Sequence, residues 1–195
     1  MTFTFDWQVI EDRLFEESRT TIVRSASEHP DTICSFFAYD VDLDAGYFLP
    51  SFDTPENAIH QAQRQEAWAI QTRNQMLNQA WSWRYASNPI KVPHVVSSSP
   101  DVGYFAYHMY AELHFPELIQ LRENADYPPK NNPIENDYVE GNVYILLWKV
   151  VERLIASHAF DRLSLASPFL IGSEFHEDEL RVLRILNWPI SGYVC

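Results

Sequence analysis

The alternation of apolar and polar positions divides the chain into helical and extended stretches. Trp7, Ile10, Leu14, Ile22 and Ala26 fall near one face at helical spacing, so a helix is predicted up to about Ser27 with Asp6 as its cap. His29-Pro30-Asp31 ends it. Ile33, Cys34, Phe36, Phe37, Ala38 and Tyr39 then form a dense apolar run, which suits a strand covered on both faces. Asp40, Asp42, Asp44 and Gly46 interrupt the run with turn-forming residues, and Tyr47, Phe48 and Leu49 restart it, predicting a hairpin. Pro50 cannot donate to a ladder, so the second strand is expected to be short or to lie at an edge. Asp53 or Thr54 can cap the next helix, and Pro55 suits its first turn.

That helix is predicted from Pro55 to about Trp81, with Ile59, Ala62, Ala69, Ile70, Leu77 and Trp81 as its apolar face and glutamines on the polar side. Ser82–Tyr85 reads as a short strand flanked by Trp81 and Trp83, aromatics that more often close a core than stack a base or sugar. Prolines and serines make 86–101 irregular. Ser99 or Asp101 can cap a third helix, on which Tyr104, Tyr107 and Tyr110 would share a face. Asn124–Asp137, with three prolines and four asparagines, is predicted as a loop, functional or merely mobile. Val139–Phe160 is the most apolar helix, buried over much of its surface. A strand broken by Pro168 follows over Arg162–Ile171, and Glu174, Glu177, Asp178 and Glu179 open a last helix that ends before Pro189. There is no internal repeat. The pattern implies one domain over 1–195 with an α+β fold: a small, mainly antiparallel sheet carrying several packed helices.

Charge changes this picture locally. The net charge is −13, and residues 1–60 hold 12 acids against 3 bases while the rest hold 15 against 11. Such a field repels nucleic acid and anionic membrane and attracts cationic partners. A plain solubility role is the alternative. With 46% hydrophobic residues the chain can build a core unaided. Cys34 sits in the apolar run and Cys195 ends the sequence, so neither has a CxxC partner. Inert reduced thiols and a cytoplasmic setting are therefore expected. The opening MTFTFDWQVIEDRL lacks a basic start and an unbroken apolar core, so no signal peptide is expected. No apolar run reaches the ~18 residues of a membrane span.

Known catalytic signatures are missing. No phosphate-binding G-x-x-x-x-G-K-[ST], G-x-S-x-G or H-E-x-x-H occurs, and the seven histidines are scattered. His108 and His114, six apart, do not share a helical face and make a poor metal pair, so no metal and no cofactor is expected. The acids around Glu177 lack the spacing of a calcium loop. Two groups of residues stand out. Glu11, Glu16 and Glu17 on the first helix, with Asp40, Asp42 and Asp44 at the hairpin, are candidate contacts for a basic protein partner. Tyr104, Tyr107 and His108 are the candidate pocket if the protein is an enzyme, and tyrosine is also favoured in recognition patches.

The strand SFFAYDVD, the turn, the strand GYFLPSFD and the helix opening DTPE resemble the bacterial domain-of-unknown-function family 4303. In that pattern Thr54 and Glu56 match, while Asp53 stands in place of an asparagine. Trp81-Ser82-Trp83-Arg84-Tyr85 and the terminal elements are similar in order. The resemblance implies no catalytic residues. It implies a place among candidate immunity proteins of bacterial toxin systems, by analogy. The leading expectation is a non-enzymatic acidic protein that neutralises a basic partner. An enzyme with an unsigned site and a structural subunit of a homo-oligomer are the alternatives.

Overall fold

The structure, a computed structural model, describes residues 5–77, 99, 101–123, 133–175 and 179–187. It has an α+β fold built on a five-stranded sheet of order β3-β2-β1-β4-β5. The strands are β1 (Ile33–Asp42), β2 (Tyr47–Asp53), β3 (Leu113–His114), β4 (Ser164–Phe175) and β5 (Arg181–Leu186). All pairings are antiparallel except β1 with β4, which is parallel. The helices are α1 (Trp7–Glu28), α2 (Pro55–Leu77), α3 (Pro116–Glu123) and α4 (Pro133–Ala156), with 3-10 turns at Val102–Tyr104 and Ala159–Arg162.

The hairpin forms where the sequence places it. Asp42 accepts a hydrogen bond from the Ala45 amide at 2.9 Å. Gly46 adopts a φ of +70°, and a Cβ there would lie 2.8 Å from the Phe115 carbonyl. Both the left-handed backbone and the close approach call for glycine. Pro50 sits opposite Tyr39 on β1. Its carbonyl accepts from the Tyr110 amide on the far side, so its missing donor also faces away from β1. The ladder to β1 therefore loses nothing.

One face of the sheet carries the main core. Phe37, Tyr39, Ile171 and Phe169 from the strands pack against Ile10, Leu14 and Ile22 of α1 and against Val143, Leu147, Val150 and Leu154 of α4. Burial of several such side chains, at roughly 1.5–3 kcal/mol each, makes this layer the main source of stability. Within it the Tyr39 hydroxyl lies 2.7 Å from Ser18 Oγ, and at its margin Arg184 of β5 donates to Glu152 of α4. On the opposite face, among the described residues, Phe36, Ala38 and Leu170 meet Val102 and Phe105 from a strap over residues 101–110.

Several predicted elements differ from what forms. The tyrosine-bearing third helix is only the turn at Val102–Tyr104, capped by Asp101 as foreseen. Beyond it the backbone is drawn onto the β2 edge, where Tyr107 and Phe52 exchange two amide bonds. The tyrosines consequently diverge: Tyr104 is exposed, while Tyr107 and Tyr110 pack against the core. The last element is the strand β5, not a helix. Ile171 pairs with Arg184 and Gly172 with Val182, leaving Leu183 as an extra residue. That bulge hides the period of two that would have marked a strand. Glu174 belongs to β4 instead of opening a helix, and Glu177 and Asp178 lie outside the described residues.

Helix α4 starts at Pro133, so the end of the expected Asn124–Asp137 loop is helical. Proline at a first helical position costs no hydrogen bond. Residues 124–132 and the Trp81–Tyr85 segment lie outside the described residues. Pro168 does not end its strand. Between Cys34 and Phe36 the partner strand advances from Leu165 to Leu170, and this slack holds the proline. Of the apolar face expected for α2, Ile59 and Ile70 are exposed and Ala62 is half-buried; Trp68 is exposed too, and Ala58 is the helix's one buried residue among the described side chains. Helical periodicity alone therefore did not decide burial. Among the described residues no helix is long and apolar enough to cross a membrane.

Candidate functional site

Arg13, Glu17, Thr20 and Arg24 are spaced i, i+4, i+7 and i+11, which places them on one stripe of α1. This stripe faces the sheet edge formed by residues 109–114. Arg24 donates to the Tyr110 carbonyl at 2.9 Å and lies over the Tyr110 ring, its guanidinium carbon 4.8 Å from the centroid. Arg13 donates to the His114 carbonyl, binds Glu117 at 3.1 Å and covers the Phe115 ring at 3.9 Å. Two arginines thus fasten the helix to the edge at both ends of the stripe.

Between them the seam opens into a groove of about 680 Å3. Its helix wall holds Glu16, Glu17, Thr20 and Thr21, and its edge wall runs from Met109 to Leu113. Both threonine hydroxyls bond back to helix carbonyls, at 2.9 Å each. Met109 is exposed and has a φ of 50°. The walls carry three glutamates, including Glu112, against Arg24, which is already engaged. Glu28 closes one end by accepting from the Tyr110 hydroxyl. Burial and this carboxylate raise the Tyr110 pKa.

The strap side of the sheet is the second polar region. Asp53 is fully buried and accepts four hydrogen bonds, from Asn57 Nδ2, the Ala106 amide, the Ser99 amide and Ser99 Oγ, at 2.7–3.2 Å. Thr54, not Asp53, caps α2 by accepting from the Asn57 amide at 3.2 Å. Asp53 is thereby free to clamp the strap. Glu174 is also buried and accepts from the Val102 amide at 2.8 Å. Desolvation raises its pKa, the Val102 bond opposes that, and the charges of Asp101 and Asp40 add to it. His108 Nε2 lies 3.4 Å from Asp40 Oδ2, joining the strap to β1. No group of three His, Cys, Asp or Glu among the described residues could hold a metal ion.

The six acids expected to form one surface are divided. Asp40 lies on the strap side, next along β1 to Tyr39, which faces α1. Glu11 is buried in the α1–α4 seam, 2.8 Å from Arg153 and 3.6 Å from Lys149, and so is not a surface contact. Arg153 also holds the neighbouring Asp12 at 2.7 Å, and that bond lowers the Asp12 pKa. Asp42 is tied into its turn, while Asp44 is exposed. Glu16 and Glu17 remain together in the groove, each also paired along the helix, with Arg19 and Arg13. Of the expected pocket residues, Tyr107 packs against His29 with centroids 4.5 Å apart and the rings tilted by 40°, Tyr104 faces solvent and His108 turns toward Asp40, so the three do not converge. Asp53 and Glu174 were not singled out as site residues, because their roles depend on contacts 46 to 72 positions away in the chain, and Glu112 because it meets α1 only across the groove. A scan of protein-family models matched none, and searches of curated proteins and of solved structures returned no match.

Proposed function

We infer that the chain is a non-enzymatic acidic binding protein whose partner is a basic protein, in the way an immunity protein neutralises a toxin. The observation that carries this reading is the open groove beside α1, which presents three carboxylates and one engaged arginine. A net charge of −13 would speed encounter with a cationic surface and disfavour nucleic acid. The resemblance to family 4303 and the cytoplasmic setting belong to the same proposal. The test is affinity capture with the whole chain as bait from its source cells. A basic protein should be recovered, with recovery falling as salt rises and on reversing the charges of Glu16 and Glu17. Recovery of no basic protein, or recovery indifferent to both changes, refutes the reading.

A second reading has its own observation. The buried Glu174, its pKa raised, lies near Asp40 and His108, a grouping suited to proton transfer. Turnover of any substrate abolished by His108→Ala, with the fold intact by circular dichroism, would favour an enzyme.

A further inference from the structure

The α1–edge seam shows what kind of group fits its open middle. Its two ends are closed in the same manner, by a helix arginine donating to an edge carbonyl: Arg24 to Tyr110 and Arg13 to His114. In extended backbone alternate carbonyls point the same way. The Glu112 carbonyl, two residues before His114, therefore faces this seam, and no group among the described residues bonds to it. The helix residue facing the middle is Thr20, exposed and too short to cross the gap, its hydroxyl spent on the Glu16 carbonyl. Glu16 and Glu17, each paired along the helix with Arg19 and Arg13, and Glu112 line the same place.

We propose that a lysine or arginine side chain from an extended segment of a protein partner fills this middle position, bonding to the Glu112 carbonyl and pairing with the glutamates. The segment lies between helix and sheet edge, a setting in which extended peptides bind by adding to the edge. Exposed Met109 and the body of Tyr110 offer apolar surface to the residues flanking the cation. This proposal rests on the basic-partner reading and places the partner in the groove.

The test uses the whole chain and a labelled, end-blocked Val-Arg-Val-Arg-Val peptide, followed by fluorescence anisotropy and amide NMR. Binding should perturb the amides of Thr20, Ala111 and Glu112. It should weaken about tenfold when citrulline replaces arginine, or in the Glu16→Gln/Glu17→Gln/Glu112→Gln variant, as expected for several partly exposed ion pairs. Thr20→Arg is the sharper variant. It removes no acid and lets the chain supply its own middle cation, so it should abolish binding while leaving the melting temperature nearly unchanged. Equal binding of the citrulline peptide, or full binding by Thr20→Arg, overturns the proposal. A dimeric solution mass that Thr20→Arg converts to monomer would assign the groove to a second copy and overturn it too. If Thr20→Arg still captures a basic protein from cells as well as wild type, the groove assignment falls and the broader basic-partner reading stands.

Discussion

The two faces of the sheet are covered by different physics. Against the α1–α4 face the buried contacts are mainly apolar, with a bond between two neutral hydroxyls, Tyr39 and Ser18, and one ion pair at the margin, from Arg184 of β5 to Glu152 of α4. Against the other face a short strap is held by carboxylates: Asp53 gathers two amides and two side chains, Glu174 takes the Val102 amide, and Asp40 meets His108. Burial area fixes the first layer and should respond little to pH. Ionisable acceptors hold the second, whose buried apolar cluster has five members among the described residues. The same chain thus has a face secured by size and a face secured by charge.

Four measurements can break or sharpen that contrast. Phe37→Ala removes a ring that is 0% exposed and touches Tyr39, Phe52 and Phe160, so urea unfolding should show a loss of about 3–5 kcal/mol. Asp53→Ala orphans four donors on the strap side. A loss of about 3 kcal/mol is expected, together with faster hydrogen exchange at Ser99 and Ala106 but not at α4. Uniform exchange across both faces would show that the layers are not separately held. Glu174→Gln should act in the opposite direction. The folded-state pKa of Glu174 is raised, so its charge costs stability above that pKa and the cost vanishes below the unfolded value. The amide keeps an oxygen for Val102. The variant should therefore melt higher than wild type at neutral pH, by under ~1 kcal/mol, with the gain disappearing as pH falls through the carboxyl range. Trp68→Ser on the exposed part of α2 should change stability by less than ~0.5 kcal/mol, because Trp68 is 64% exposed.

The candidate groove was half legible. Glu16 and Glu17 stand out in the sequence as part of an acidic first helix. The sequence also shows Arg13 and Arg24, but their purpose depends on carbonyls at 114 and 110 that local pattern cannot bring near. Glu112 carries no signal of its own, since it follows an irregular edge. Glu11 has the same composition as its neighbours, yet one rotation of the helix turns it inward to Arg153.

What the sequence determined by itself is local: the Asp6 cap, the length of α1, the doubly covered β1, the Gly46 turn, the start of α2 and the α+β class. These follow from periodicity, turn chemistry and capping, which act over a few residues. The tertiary structure alone decided which apolar stripes are covered, why residues 105–110 run along β2 instead of coiling, why Arg181–Leu186 is a strand, and where the acids lie. Each outcome is a competition between a weak local preference and partners far along the chain, and an open strand edge with unpaired amides outweighs a helical spacing worth a few tenths of a kcal/mol per residue.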